Sequence, residues 1–208
     1  MKENDFYKYV IVDGKFIGKF EEMYQNCDDP WLQDSLLYQS NKIVIDILKR
    51  DNYQYENVLD IGCGKGNYTN LLYEILKCNI DAIDISKTAI QVAQNRYDNI
   101  NFIADDFLRT NQIKMNYDLI IVSQVLWYVL ENLDSFFQKM KNVASDKAKI
   151  IFIQTYYHPD KQEYGNNVMT KVDDIIDILP FQLENIIDVK NYKDGLWVET
   201  RSIIICNN

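Results

Sequence analysis

The chain has 208 residues, 47% of them apolar, enough for one sizeable buried core, so a single domain is expected over residues 1–208. A net charge of −9 and a pI near 4.6 exclude the basic surface that nucleic-acid binding requires, and no apolar run approaches the roughly 20 residues that span a bilayer. Cys27, Cys63, Cys78 and Cys206 lack metal-ligand spacing and no signal-peptide pattern follows Met1, which predicts a reducing cytoplasmic setting and no bound metal.

Residues 1–55 form a leader that contains Met23-Tyr24, Asp29-Pro30-Trp31 and an amphipathic segment running to Lys49. From residue 56 onward, strand and helix patterns alternate. Strands are predicted at 56–60, 79–84, 100–103, 117–122 and 148–154, and helices at 65–77, 86–96 and 133–143. Alternation of this kind argues for a parallel sheet covered on both faces, and the apolar runs LIIV and IIFI suit strands with no solvated face. Ser86 reads as the N-cap of the helix at 86–96, and Asn132 or Asp134 as that of the helix at 133–143. A helix at 171–179 ends at Pro180. Two last strands, 181–190 and 196–205, flank the turn-like Lys193-Asp194-Gly195 and are expected to pair antiparallel.

Val58 to Thr69, reading VLDIGCGKGNYT, closes a strand on Asp60 and then places Gly62, Gly64 and Gly66 at alternate positions. Such a loop lets a ligand lie against main-chain N–H groups. A dinucleotide fingerprint needs its third glycine at position 67, where Asn67 stands, and no Gly-Lys-Ser or Gly-Lys-Thr marks a phosphate loop. Asp84 ends a second apolar run 24 residues after Asp60, and Asp105 and Asp106 end a third. Ligands of open α/β sheets bind beyond the carboxyl ends of the strands, where these acids and Ser123 fall.

The DxGxGxG spacing resembles motif I of the class I S-adenosylmethionine-dependent methyltransferases. IDAIDIS, NFIADDF and YDLIIVSQVLWYVL are similar to their later motifs in the same order. The resemblance implies a doubly wound, Rossmann-like, mostly parallel seven-stranded sheet with one antiparallel C-terminal strand. It also implies S-adenosylmethionine as the cofactor. Asp84 would then hold the ribose hydroxyls and Asp106, in preference to Asp105, the adenine amino group, with Phe107 or Ile85 flanking the ring. Asp60, Gly62, Cys63, Gly64, Gly66, Ser123 and Gln124 would contact the cofactor, with the N–H groups near Gly62 and Gly64 facing its methionine portion.

MYQNCDDPW, from Met23 to Trp31, and SQVLWYVL, from Ser123 to Leu130, further resemble the nodulation-type N-methyltransferases, which methylate an amino sugar, and their sugar-modifying relatives. This likeness implies that residues 1–55 form a helical lid over the cofactor, with Tyr24 and Trp31 as its walls. Gln124 stands where that group has a glutamate, so a step needing a carboxylate there is not open to this chain.

Trp127 and Tyr128 can favour a sulfonium through cation–π attraction or simply fill the core. Tyr156, Tyr157, Gln162 and Tyr164 offer hydrogen bonds and flat faces to a sugar ring. His158, the sole histidine, lies past the fifth strand, where a neutral imidazole can deprotonate a hydroxyl acceptor. The reading is a methyltransferase, monomeric or homodimeric, for a small polar acceptor, with a hydroxyl or amine of a sugar or nucleotide-linked sugar of surface-polysaccharide biosynthesis preferred. Its rivals are methylation of another small metabolite, of RNA or of protein, and a non-catalytic cofactor-binding partner subunit.

Overall fold

The computed structural model describes residues 7–32, 34 and 38–208. Helix α1 (Tyr7–Val10), strands β1 (Ile11–Val12) and β2 (Lys15–Phe16), and helices α2 (Phe20–Asn26) and α3 (Gln39–Arg50) make up the leader. Then come β3 (Asn57–Ile61), α4 (Asn67–Leu76), β4 (Asn79–Asp84), α5 (Lys87–Arg96) and β5 (Asn101–Ala104). The second half runs β6 (Tyr117–Ser123), α6 (Leu133–Val143), β7 (Ala144–Tyr157), α7 (Val172–Ile176), β8 (Gln182–Lys193) and β9 (Leu196–Asn207).

The seven long strands form one sheet in the order β5-β4-β3-β6-β7-β9-β8. All run parallel except β9, which is antiparallel to both β7 and β8. Strand order reverses at β3, so the crevice between the carboxyl ends of β3 and β6 is where ligands of such sheets bind. Neighbouring residues of the central strands face opposite ways. Ile120, Val122 and Phe152 pack with Phe136 and Phe137 of α6, whereas Leu119, Ile121 and Ile151 pack with Val44 and Leu48 of α3 and Leu72 of α4. Both faces are thus dry, and each such side chain contributes about 1.5–3 kcal/mol.

Three local features follow from sequence chemistry. Ser86 caps α5, its hydroxyl accepting the Ala89 N–H at 3.1 Å. The β8–β9 turn places Asp194 and Gly195 at φ 53° and 79°, the two left-handed residues of a type I′ hairpin. The β1–β2 hairpin, which the sequence reading did not predict, uses the same Asp-Gly device at Asp13 (φ 49°) and Gly14 (φ 70°). Several expectations shift, among them the helix expected at 171–179, which spans only Val172–Ile176. Asn132 precedes α6 without a side-chain capping bond, and β7 begins at Ala144, directly after α6, instead of at 148. Among the described residues no helix is long and apolar enough to cross a membrane.

Candidate active site

The loop between β3 and α4 sits under the leader at the strand-order reversal. Gly62, Gly64 and Gly66 all lie at positive φ. At Gly62 a β-carbon would come within 2.3 Å of the Val125 side chain, so glycine is the residue that lets the loop pass the turn after β6. The Gly64 N–H donates to Asp84 Oδ2 at 2.8 Å and the Ser86 N–H to Oδ1 at 2.9 Å. Asp84 is therefore fixed at the end of β4, with a lone pair left on each oxygen. Burial raises its pKa, those two backbone donors oppose the rise, and the Glu21 charge adds to it.

Asp60 is 2% exposed, and its Oδ2 accepts the Thr69 hydroxyl at 2.6 Å. Burial pushes its carboxyl up to about 6 against the pull of Thr69, with the Asp84 charge adding to the rise. Asp105 and Asp106 turn towards their own loop. Asp105 Oδ1 accepts the Asp106 N–H and Oδ2 the Gln112 amide, while Asp106 Oδ1 accepts the Leu108 N–H and Oδ2 lies 3.3 Å from Arg109 Nε. Phe107 packs edge-on against Phe136 in the core, whereas Ile85 is 54% exposed beside Asp84.

The leader is fastened on both flanks of the glycine loop. On one flank Glu21 of α2 accepts the Ser86 hydroxyl at 2.7 Å, the Thr88 N–H at 3.1 Å and the Thr88 hydroxyl at 2.7 Å, capping α5 from a distant part of the chain. Partial burial of Glu21 disfavours its charge, yet the hydrogen bonds from Thr88 and Ser86 prevail and hold the carboxyl down at about 2. On the other flank Lys65, 3% exposed, donates to the Asp28 carbonyl and pairs with Asp34 at 2.5 Å, and Asp34 also pairs with Arg96 at 2.5 Å. Between the flanks lies Tyr24, whose phenol titrates far above its ordinary range because of burial and then the charge of Asp84, while a hydrogen bond from Trp31 works the other way.

Tyr128 gathers the leader onto the turn after β6. Its ring stacks on Phe16 at 5.9 Å, meets Phe20 edge-on at 4.9 Å and lies 6.1 Å from Trp31. Tyr164 also stacks on Phe16 at 5.9 Å. Glu21, Phe16, Phe20 and Lys65 were missed by sequence reasoning, because their partners lie far away in the chain.

Ser123 ends β6, and Gln124 follows in the left-handed region at φ 61°, a strained conformation for a side chain of this type. Gln124 Oε1 accepts the Thr155 N–H at 3.1 Å, which fixes the orientation of its amide and leaves Nε2 buried without a protein partner. The Thr155 carbonyl accepts the Trp127 indole N–H at 3.0 Å, and Tyr157 lies 6.4 Å from Trp127. Tyr156, 2% exposed, belongs to the same buried cluster as Trp127, Met169 and Ile175. His158 packs against Trp197 at 5.2 Å, and its Nδ1 lies 3.3 Å from the Asp160 N–H and 3.4 Å from Asp160 Oδ2.

The structure thus brings Tyr24, Trp31, Cys63, Gly64, Asp84 and Tyr128 together under the leader. Gln124 and Trp127 join them to the end of β7, and Asp105, Asp106 and His158 make their polar contacts within their own loops. These residues fit S-adenosylmethionine. A fixed carboxylate with spare lone pairs meets a diol, the buried Gln124 amide still has hydrogens to give, and anionic and aromatic walls suit a sulfonium.

A doubly wound sheet with this glycine loop, these strand-end acids and this leader defines a class I S-adenosylmethionine-dependent methyltransferase. The family described as a methyltransferase domain matches residues 54–186, and the chain belongs to it. It is similar to a putative methyltransferase, 235L, of Invertebrate iridescent virus 6, at 27% identity over 135 residues. That match covers 64% of this chain and 49% of the viral protein, so the chain spans about half the length of that relative. Among solved structures it resembles the N-methyltransferase NodS of Bradyrhizobium japonicum WM9 bound to S-adenosyl-L-homocysteine. There the TM-score is 0.71 and the identity 20%, over 91% of this chain and 97% of that one. A methyltransferase of Aquifex aeolicus matches with a TM-score of 0.61 and 18% identity, over 84% of this chain and 91% of the other.

Proposed function

We propose that the protein moves a methyl group from S-adenosylmethionine to a hydroxyl or amine of a small polar acceptor, with a sugar or nucleotide-linked sugar preferred and the cytoplasm as its setting. The observation that carries this reading is the glycine loop and Asp84 themselves, roofed by a leader clamped at Glu21 and Lys65 and linked through Gln124 and Trp127 to the polar end of β7.

When bound, the cofactor supplies an electrophilic methyl group. The work of the protein is to align donor and acceptor and to exclude water, and alignment of this kind can lower a barrier by roughly 7–11 kcal/mol in well-oriented systems. Asp84 would hold the ribose hydroxyls, the Gly62–Gly64 backbone the methionine end, and Ile85 one face of the adenine, with Asp106 near the amino group. Residues 1–55 serve as the lid, and Tyr24, Trp31 and Tyr128 keep water out.

For a hydroxyl acceptor, His158 serves as the base. That role needs the proton on Nδ1, turned to the Asp160 carboxylate 3.4 Å away, so that Nε2 can take the acceptor proton. In the structure Nδ1 accepts the Asp160 N–H at 3.3 Å, which puts the proton on Nε2, so this bond must give way before His158 can act as the base. The test is incubation with methyl-tritiated S-adenosylmethionine and a set of free and nucleotide-linked sugars, with the methylated atom located by NMR. Label in a sugar product is expected. Retention of all label by the donor, in a protein that binds S-adenosylhomocysteine, would defeat the reading.

A further inference from the structure

The far end of β7 and the loop after it hold three polar side chains that are almost wholly buried and incompletely bonded. Gln154 is 0%, Tyr156 2% and Gln162 7% exposed, yet Gln154 Oε1, the Tyr156 hydroxyl and Gln162 Oε1 have no hydrogen-bond partner. The amide orientations are not interchangeable. Gln154 Nε2 donates to the Thr155 carbonyl at 3.3 Å, and Gln162 Nε2 to the carbonyls of Met169 at 2.7 Å and Tyr164 at 3.3 Å. A carbonyl only accepts, so the nitrogens must face these oxygens, and the amide oxygens are the groups left over.

Cross-strand neighbours do not relieve them. Gln154 and Tyr156 lie on one face of β7, opposite Ser202 and Thr200 of β9. The Ser202 hydroxyl donates to Asp188 at 2.6 Å, and the Thr200 oxygen accepts the Trp197 indole N–H at 3.0 Å. An uncompensated buried polar atom costs about 1–3 kcal/mol, so three together form a reservoir that a ligand with its own donors would discharge.

The three share one neighbourhood. The Trp127 indole and the Gln154 amide donate to the same Thr155 carbonyl. A β-carbon on Gly165, in the loop that starts at Gln162, would lie 2.9 Å from the Trp127 ring. The Tyr156 phenol feels the charges of Asp174 and Asp173 of α7, which begins just after Met169. The loop from Gln162 to Met169 is tied mainly to itself, through Asn166 to the Gln162 carbonyl and through the Val168 and Met169 N–H groups to the Gly165 carbonyl. It also rests on its surroundings, with Tyr164 stacked on Phe16 at 5.9 Å and Met169 fully buried, so a ligand reaches the three acceptors only when this loop is displaced.

We propose that Gln154, Tyr156 and Gln162, roofed by the loop 162–169, form a subsite that recognises the hydroxyl-rich, uncharged part of the methyl acceptor, a neutral glycosyl unit. Two amide oxygens and a phenol complement O–H groups. None of the three supplies a cation, and the charges of Asp188, Asp174 and Asp173 are felt at Tyr156, so a phosphate or carboxylate is disfavoured here. This subsite rests on the methyltransferase reading and deepens it.

Affinity for S-adenosylhomocysteine, measured first by calorimetry, reports on the donor site alone. Ligand-observed NMR titrations of the wild-type protein saturated with S-adenosylhomocysteine then use methyl α-D-glucopyranoside and glucose 6-phosphate as probes. The neutral glycoside is expected to bind, and the phosphate ester at least about tenfold more weakly. Tyr156→Phe, Gln154→Leu and Gln162→Leu should each lower glycoside affinity about tenfold, the change that an unmatched hydrogen bond of about 1.4 kcal/mol gives. Each should leave affinity for S-adenosylhomocysteine unchanged. Tyr156→Phe should also leave the ligand-free melting temperature unchanged or raised, since its hydroxyl has no partner to lose, and this arm stands even where a glutamine variant folds poorly. The subsite is overturned by a glycoside that does not bind, by a phosphate ester that binds equally well, by variants with wild-type affinity, or by a Tyr156→Phe that melts lower. Failure to bind S-adenosylhomocysteine would instead overturn the methyltransferase reading, and the same sugar titrations without it would still decide the subsite.

Discussion

Removing Glu21 should loosen the leader without unfolding the sheet. Its carboxyl falls from an ordinary 4.5 to about 2 on docking, and at about 1.4 kcal/mol per unit this bounds the contribution at roughly 3 kcal/mol. Solvent at the rim screens part of that, and loss of a helix cap typically costs about 1 kcal/mol, so about 1–2 kcal/mol is the working figure. The docked pKa is depressed, so this stabilisation is complete above about pH 4.5 and is lost only as pH falls through about 2. At neutral pH Glu21→Ala should therefore raise the fraction of open leader roughly 5- to 30-fold. Dissociation of S-adenosylhomocysteine, followed by stopped flow, should speed up by a similar factor. Hydrogen exchange of the α2 amides should rise while that of β3 and β6 stays put. Combining Glu21→Ala with Thr88→Ala tests the contact itself, because the pair must be less than additive. Strict additivity, or wild-type exchange in α2, would refute the clamp.

Asp84→Ala should weaken S-adenosylhomocysteine binding by about 2 kcal/mol or more, because two ribose hydroxyls would lose their acceptor; unchanged calorimetric affinity in a folded variant would remove Asp84 from the site. Asp60 behaves in the opposite sense to Glu21. Its folded pKa is raised to about 6, so the stability it contributes is full below about 3.8 and is lost as pH rises through about 6. Asp60→Asn, which cannot ionise, should accordingly gain on wild type by up to about 3 kcal/mol above pH 6, and urea titrations in which the gap ignores pH would contradict the buried charge. For a hydroxyl acceptor, His158→Ala should cut turnover about 10²- to 10⁴-fold with donor affinity intact; an O-methylated product formed at full rate would shift the base to another residue.

What was legible in the sequence follows from how far each signal travels along the chain. β3 to β7 announced themselves because burial on both faces forces apolar runs, and Ser86 was readable because a cap and its helix are adjacent. Asp84 could be located from the strand end alone. The clamp was not legible, since Glu21 meets Ser86 at a sequence separation of 65 and no periodicity encodes such a meeting. The leader hairpin could have been read from Val12-Asp13-Gly14-Lys15, the same turn chemistry that marked β8 and β9. The unmatched glutamine oxygens at β7 appear only once the backbone carbonyls that claim their nitrogens are in place.

A leader fastened beside both the ribose acid and the glycine loop has a kinetic corollary. Under the proposed function the donor exchanges only when these clamps release, whereas the loop from Gln162 to Met169, which packs on Phe16 and Trp127, is held by neither clamp. Two doors with separate latches imply a compulsory order, in which the nucleoside donor enters first and the demethylated nucleoside leaves last, while several acceptors can be sampled against one captive donor.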